Sequence, residues 1–288
     1  MVYKIRISKS ATSLVGIAVV LIAGFFYGCN PEKKLAKSFV YQSGKRSALV
    51  FSPEYIYKEN QKTWLLDSLK GNFNEAQKDS LLWELSDYVK NIDDSIFLKK
   101  FTRGFFYQMA KYGFDIYNQD AISLFMQNDS NAYLINISQV ELDETIYPYK
   151  DKMVINGYTY FHQHYLNAID LSAWFEISKV NDTLINKQVM FASDLITDDL
   201  NGSFDYDEAT DQLKYYYKID TLTVNQLYTL SITLGKKYAG YTYDYLLNKY
   251  ILTQKQPGDT LQYYWHYDIY RNKLYPIWDK EDRLIPVD

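Results

Sequence analysis

The chain has 288 residues, with 31 lysine and arginine residues against 35 aspartate and glutamate residues, which gives a formal net charge of −4. Its basic residues form no stripe, so the composition argues against nucleic acid as a partner, because a polyanion attracts clustered lysine and arginine. The single cysteine, Cys29, excludes a disulfide framework and a thiolate metal site.

The first 28 residues have the pattern of an export signal. Lys4, Arg6 and Lys9 precede an apolar run from Ala11 to Gly28. A basic segment followed by an apolar one is typical of a signal peptide. A run of about 18 residues is also near the lower limit for crossing a bilayer, so an uncleaved N-terminal anchor is the alternative.

Cys29 favours the signal peptide. Gly28-Cys29 resembles the junction of bacterial lipoproteins, in which the cysteine is lipidated and becomes the first mature residue. Phe26 and Tyr27 depart from the usual lipobox and resemble the relaxed form found in lipoproteins of the Bacteroidota. This resemblance implies a signal peptide over residues 1–28 and a lipid on Cys29. It also implies attachment of the mature chain to the outer membrane, facing the periplasm or the cell surface.

A repeated tripeptide, Asp-(Ser/Thr)-(Leu/Ile), points to the same compartment. It resembles the O-glycosylation acceptor of exported Bacteroidota proteins. The residues that this resemblance implies as acceptors are Ser68, Ser80, Ser95, Thr183, Thr221 and Thr260. The alternative explanation is that Asp and Ser/Thr favour turns and helix N-caps before apolar runs.

The elements that follow Cys29 begin with helices and one short strand. Asn30 and Pro31 open a first helix, and Ala48–Phe51 is a buried strand. Asn74 and Gln77 form a capping box. The helix that it opens carries Leu81, Leu82, Leu85 and Val89. Another helix starts at Ser95, ends at Gly113 and places Phe97, Phe101, Phe105 and Met109 on one face.

Strands dominate the middle of the chain. A short strand through Phe114 and Ile116, a small helix over Ala121–Met126 and a strand over Ala132–Val140 come first. From Ile169 to Ser178 apolar and polar residues alternate, which places Phe175 on a buried face and Trp174 on the opposite one. A turn at Asn181-Asp182 then returns the chain over Leu184–Ser193, so an antiparallel hairpin is predicted over 166–193.

A long helix from Thr223 to about Tyr250 and an aromatic strand pair over Leu261–Trp278 complete the chain. The order predicts an α+β fold, with a mixed sheet and a long antiparallel hairpin packed against several amphipathic helices. We expect one domain over 29–288, with a subdivision near residue 200 as the alternative. The order over residues 45–200 resembles the periplasmic domains of the curli-secretion lipoprotein, the TolB N-terminal domain and the activators of penicillin-binding proteins.

Two stretches resemble ligand sites. His162 and His164 are spaced to place two imidazoles on one strand face, which suits zinc or copper, but two ligands are too few for a structural site. The acidic stretch from Asp198 to Glu208 fails the EF-hand register, and Asn201-Gly202 predicts a hairpin turn there. With no catalytic motif in the sequence, we predict a protein that is not an enzyme and has no cofactor, no metal and no catalytic residue.

The 30 tyrosines are the remaining unusual feature. Tyrosine and tryptophan suit both core edges and binding surfaces, and the surface candidates are Trp174, Tyr264, Trp265 and Tyr267. These features favour an outer-membrane lipoprotein with a structural, assembly or accessory role through contacts with another envelope protein. The alternative is a glycan-binding lipoprotein, and a metal-assisted hydrolase built on His162 and His164 is held in reserve.

Replacing Cys29 with serine should abolish membrane association, because the lipid can no longer be attached. Membrane flotation measures the attachment, and mass spectrometry of the mature N-terminus shows whether residues 1–28 have been removed. A Cys29→Ser protein that still floats with membranes and keeps residues 1–28 would show that the anchor is an uncleaved helix.

Overall fold

The computed structural model of the protein describes residues 30–42, 46–69, 71–127, 131–180, 188–280 and 282–287. Its helices and strands form an α+β fold with a mixed sheet and a long antiparallel hairpin, which confirms the predicted fold class. Residues 1–28, Cys29, the turn at Asn181-Asp182 and Thr183 lie outside the described residues. Within those ranges, none of the helices combines the length and the hydropathy that crossing a membrane requires.

The α-helices are α1 (Pro31–Tyr41), α2 (Glu75–Glu84), α3 (Asp94–Lys111), α4 (Ile122–Phe125) and α5 (Val224–Thr253). Short 3₁₀ helices lie at Thr63–Ser68, Val89–Asn91 and Gln119–Ala121. The strands are β1 (Arg46–Phe51), β2 (Tyr57–Asn60), β3 (Phe114–Asn118), β4 (Ala132–Ile155), β5 (Tyr158–Lys179), β6 (Gln188–Thr197), β7 (Asp199–Asp207), β8 (Gln212–Asp220), β9 (Tyr264–Asp268), β10 (Lys273–Ile277) and β11 (Ile285–Pro286).

The chain divides into two compact units. The smaller unit joins the start of the chain to Asp244–Trp278, and the larger unit holds Gly44–Tyr243 and Asp279–Asp288. Residue 200 lies inside β7, so this division does not fall there. The expectation of one domain over 29–288 stays a prediction.

The main sheet of the larger unit has the order β11-β6-β5-β4-β1-β3, and β2 also pairs with β4. Strand β4 is parallel to β1 and β2 and antiparallel to β5. The β4–β5 hairpin turns at Asn156-Gly157 and pairs from there back to Tyr133 and Lys179. Both strands are therefore much longer than the sequence pattern predicts. Strand β5 also pairs with β6, over fewer residues than it pairs with β4.

One face of this sheet packs against α3 and the first part of α5. Phe175 is fully buried, with its ring centroid 6.1 Å from that of Phe105 and 6.0 Å from that of Tyr238. The Tyr238 hydroxyl also donates a hydrogen bond of 3.2 Å to the Leu171 carbonyl. Trp174 points to the opposite face and is half-buried, so the predicted assignment of the two faces is confirmed.

Two glycines allow α3 and α5 to approach closely. A Cβ atom on Gly104 would lie 2.1 Å from the carbonyl oxygen of Ile232, and one on Gly235 would lie 2.0 Å from that of Phe101. Both distances are far below van der Waals contact, so any side chain at either position would push the helices apart. A glycine within a helical pattern is the sequence signal for such an approach.

A buried carboxylate, Glu144 on β4, ties several segments of the larger unit together. It is fully buried and accepts a 2.9 Å hydrogen bond from the ammonium of Lys62, which follows β2. The Ser86 hydroxyl donates another at 2.7 Å. Its remaining donors are the backbone N–H groups of Asp87, Tyr88 and Val89. Burial opposes ionisation, but these donors hold the pKa of Glu144 below its ordinary value.

Two predicted elements were wrong in extent or place. The helix opened by Asn74 ends at Glu84 and does not reach Val89, because the chain turns there and presents its N–H groups to Glu144. Asn201-Gly202 is not a turn but part of β7, and the β7–β8 hairpin turns between Asp207 and Gln212.

In the smaller unit, β9 pairs with β10, and polar side chains of α5 also bond the backbone of β9. Asn248 accepts a hydrogen bond from the Trp265 N–H and donates one to its carbonyl, while Asp244 accepts from the Tyr267 N–H. From α1, Glu32 accepts hydrogen bonds from the Lys255 ammonium and the Trp265 indole. The bonds from Asn248 and Asp244 satisfy backbone groups of β9 that burial would otherwise leave unpaired.

Replacing Glu144 with glutamine should lower the free energy of unfolding by about 3 to 5 kcal/mol, because the ammonium of Lys62 then loses its buried counter-ion. Asp87→Asn is the matched control. Asp87 also pairs with Lys62, but its side chain is 62% exposed, so its loss should cost less than about 1 kcal/mol. Denaturant unfolding of the full chain in detergent measures both, and equal losses would contradict the central role of Glu144.

Candidate functional site

The far half of the β4–β5 hairpin extends beyond the main sheet. Pairing of β4 with β2 ends at Glu144, and pairing of β5 with β6 ends at Ala168. Within the described residues, the segments 145–155 and 158–167 therefore pair only with each other. We call this two-stranded segment the arm. The β7–β8 hairpin packs against one of its faces through aromatic rings.

Two histidines and two tyrosines meet at this contact. The ring of Tyr215 stacks on His162 with 3.9 Å between centroids, and the ring of Tyr217 lies 4.0 Å from His164. The Tyr215 hydroxyl donates a hydrogen bond of 3.1 Å to Asp151, which lies opposite His162 on β4. Burial, the hydrogen bond and the carboxylate charge together raise the pKa of Tyr215 to about 12.

The two imidazoles are in direct contact. Their Nε2 atoms are 2.9 Å apart, so one ring donates a hydrogen bond to the other. Partial burial and the neighbouring His162 lower the pKa of His164, which favours its neutral form. The predicted placement of both rings on one strand face is therefore confirmed. The third histidine, His266, belongs to the smaller unit.

Gly202 is required beneath this cluster. It lies opposite Tyr217 on β8, and a Cβ atom on it would lie 1.9 Å from the hydroxyl of Tyr215. The glycine that the sequence analysis assigned to a turn thus makes room for the tyrosine that bonds Asp151.

The other face of the arm is aromatic and open. Tyr165 is 69% exposed, Val154 63% and Phe161 56%. The ammonium of Lys150 lies 4.1 Å from the centroid of Phe161, and Gln163 donates a hydrogen bond to the Tyr165 hydroxyl. Phe161 and Tyr165 were not among the surface residues predicted from the sequence, although the tyrosines over 158–165 indicate an aromatic surface or loop. The Asn156-Gly157 dipeptide, a strong hairpin signal, could have indicated it.

The polar face of the main sheet, on the side of Trp174, is the second candidate surface. Trp174 packs against Phe191 of β6 with 5.0 Å between ring centroids. Beyond them, Glu59, Asp143 and Asp170 stand in direct cross-strand register on β2, β4 and β5. We call these three residues the acid row. Like charges directly opposite each other in a sheet are destabilising.

The electrostatics of the acid row are those of crowded carboxylates. Burial raises the pKa of Asp143 to about 6, and repulsion from Glu141, Glu59 and Asp170 adds to the shift. One oxygen of Asp143 accepts a hydrogen bond from Gln61. The other oxygen of Asp143 and one of Asp170 are buried, with no hydrogen-bond partner among the described residues.

A cavity of about 390 Å³ lies beside this face, between β2, β4 and α2. Its walls combine aromatic and acidic side chains, and they include Tyr57, Glu59, Asp79, Trp83 and Glu141. Within the described ranges, Glu59, Glu141 and Asp143 form the only group of three or more histidine, cysteine or acidic residues with mutually adjacent ligand atoms. His162 and His164 therefore gain no third ligand of these types from the described chain.

The predicted aromatic surface near the C-terminus is corrected. Trp265 is 3% exposed and Tyr267 is also buried, because the alternation of β9 turns both toward the interior. Neither offers a ring face to a partner. Tyr264 is half-buried on the opposite side of the strand.

The same strand brings His266 to Asp244. Asp244 is fully buried, and its Oδ2 lies 2.5 Å from Nδ1 of His266. Burial raises the pKa of Asp244, against the lowering effect of His266. The other carboxylate oxygen accepts from the Tyr267 backbone. Both oxygens thus hold β9 to α5, which is a structural role.

The acidic stretch that was weighed as a calcium loop is also structural where it is buried. Asp198 accepts hydrogen bonds from the backbone and side chain of Asn167 and from the Leu222 N–H.

The implied O-glycosylation acceptors that the structure describes are all exposed, and they are Ser68, Ser80, Ser95, Thr221 and Thr260. Their modification stays a prediction.

No known protein family, no curated protein and no solved structure matches the chain. Function is therefore inferred from the surfaces described above.

Replacing Asp143 with asparagine should stabilise the protein at pH 7 by about 1 to 2 kcal/mol, since it removes a charge whose pKa the fold raises to about 6. The native state binds this proton more tightly than the unfolded chain. The contribution of protonated Asp143 to the free energy of unfolding is therefore fully present below about pH 4, and it is lost as the pH rises through 6. Denaturant unfolding between pH 4 and pH 7 should show that Asp143→Asn is more stable than the unaltered protein, by a difference that grows with pH.

Asp115→Asn, an exposed substitution on β3, is the control for this series. It should leave the pH dependence unchanged. If Asp143→Asn behaves in the same way as Asp115→Asn at pH 7, the acid row is not under electrostatic strain.

Proposed function

We propose that the protein is a non-enzymatic outer-membrane lipoprotein with an assembly or accessory role, and that it binds another envelope protein through the open face of the arm. The exposed aromatic cluster of Phe161 and Tyr165, on a hairpin that extends past the main sheet, is the observation that carries this proposal. The envelope location rests on the sequence alone, through the basic and apolar segments that precede Cys29.

The open face has the composition of a binding surface. Aromatic residues with polar tips are enriched in the energetically dominant part of protein interfaces, because they bury large area with few rotatable bonds. On the arm, Tyr165 and Phe161 alternate with residues that face the β7–β8 hairpin, so one side is packed and the other is presented. Large exposed apolar groups on a soluble surface mark contact sites when they lie together.

Glycan binding is the second candidate, and the cavity beside the acid row favours it. Tyr57 and Trp83 can stack on sugar rings, while Glu59, Asp79 and Glu141 can accept hydrogen bonds from hydroxyl groups. A cavity of about 390 Å³ is within the range of small-ligand sites. The two proposals place their ligands on different surfaces of the larger unit and can be separated by substitution.

The arm should lose its partner when its open face is made polar. A photo-crosslinking residue at position 163, between the two aromatic residues, should capture one envelope protein in near-stoichiometric yield from intact cells. Phe161→Ser combined with Tyr165→Ser should abolish that capture, because the apolar contact area is removed. Exposed-surface changes of this kind should leave thermal unfolding of the full chain unchanged within about 0.5 kcal/mol per site.

Trp64→Ser is the matched control, because Trp64 is exposed to a similar degree, 54%, on a different segment. It should leave capture intact. If the double substitution on the arm leaves capture unchanged, the protein-binding proposal is wrong. Retention on envelope polysaccharide that Trp83→Ala abolishes would then support the glycan-binding alternative.

A further inference from the structure

We propose that His162 and His164 form a binding site for a late first-row divalent metal ion, with Cu²⁺ the ion that it binds most tightly. The site lies between the arm and the β7–β8 hairpin, away from the open face to which the proposed function assigns a partner. It concerns binding and not stability, so it is compatible with a fold that requires no metal.

The spacing of the two nitrogens fits this role. Two bonds of about 2.0 to 2.1 Å to one ion, meeting near a right angle, place their nitrogens about 2.9 Å apart. The Nε2 atoms of His162 and His164 are 2.9 Å apart. Neighbouring positions at a right angle are those of the square-planar or tetragonal geometry that Cu²⁺ and Ni²⁺ prefer.

The ring orientations agree with the spacing. The ring centroids are 4.5 Å apart, with 59° between the ring planes. If the two rings pointed at each other along the line between their Nε2 atoms, the distance between their centroids would exceed the Nε2–Nε2 distance by a full ring diameter. The observed distance between the centroids is shorter than that. The shorter distance means that the rings do not both point along that line, which is compatible with two ligands of one ion.

The surroundings hold the ligands in place. Tyr215 and Tyr217 pack on the two imidazoles, which restricts their rotation before any ion binds. Asp151 lies opposite His162 and accepts from the Tyr215 hydroxyl, so a negative charge stands close to the site. Preorganised rings and a nearby carboxylate both favour a cation.

Two imidazoles select the class of ion. Imidazole suits copper, nickel and zinc, whereas calcium and magnesium prefer oxygen ligands. With only two protein ligands, the remaining positions are open to water or to an exchangeable ligand. The ring that now donates through Nε2 would carry its proton on Nδ1 once the ion is bound, and protonation of either imidazole competes with the ion, so metal binding should weaken as the pH falls.

The test uses the full chain in detergent with Cu²⁺ or Zn²⁺ alone as the probe. Electron paramagnetic resonance of the Cu²⁺ complex should show hyperfine coupling to two nitrogens, and His162→Asn or His164→Asn should weaken Cu²⁺ binding at least about tenfold. The matched control is His266→Asn, since the chain contains only three histidines. This substitution should leave both the spectrum and the affinity unchanged.

A measurement on the unaltered protein keeps the test decisive if a variant fails to fold. Zn²⁺ added to the chain labelled with ¹³C-histidine should shift the ring signals of His162 and His164 and leave those of His266 in place. Unmoved signals would show that the pair shares only a proton and would overturn the proposal. So would Cu²⁺ affinities that are equal in the unaltered protein and in His162→Asn.

Discussion

The buried charge of Glu144 is the interaction on which the larger unit depends, because its neutralisation fixes several segments at once. Lys62 supplies the counter-charge and donates a further hydrogen bond of 2.9 Å to Asn167 on β5. Asn167 in turn donates to Asp198, which accepts from the N–H of Leu222 just before α5. A charge removed from water must find such partners, since an unpaired one costs several kcal/mol.

This network lies where the arm leaves the main sheet. Glu144 is the last β4 residue that pairs with β2, and Asn167 directly precedes the first β5 residue that pairs with β6. Beyond that point the two strands lose their neighbours in the main sheet and are supported by the β7–β8 hairpin instead. The network therefore holds the two strands in place where the arm begins, and the arm carries the open aromatic face and the histidine pair.

The sequence predicts the elements whose signals are local. The capping box of Asn74 and Gln77 is present, and Phe97, Phe101, Phe105 and Met109 are fully buried on one face of α3 as their spacing indicates. The α+β class follows from such signals. Around the tip of the arm, aromatic residues occur on both faces of the strands. The sequence pattern therefore does not show which face is buried. For this reason the predicted lengths of β4 and β5 were too short.

Interactions between distant parts of the chain could not be predicted. Lys62 and Glu144 are 82 positions apart, and neither sits in a pattern that identifies the other. Asp170 fits the polar side of its strand, but only the register of β2, β4 and β5 shows that Glu59 and Asp143 stand beside it. The histidine pair is different, because both members lie on one strand and alternation alone brings them together.

The smaller unit has a consequence for the order in which the protein can fold. Its α1 helix comes from the beginning of the chain, whereas the groups that Glu32 binds, Lys255, Gln262, Tyr263 and Trp265, come from near its end. During synthesis from the N-terminus, α1 must therefore wait for more than two hundred residues before its partners exist. A chain halted before β9 would leave the buried face of α1 without these partners, so the smaller unit can fold only after the segment that contains β9 has been made.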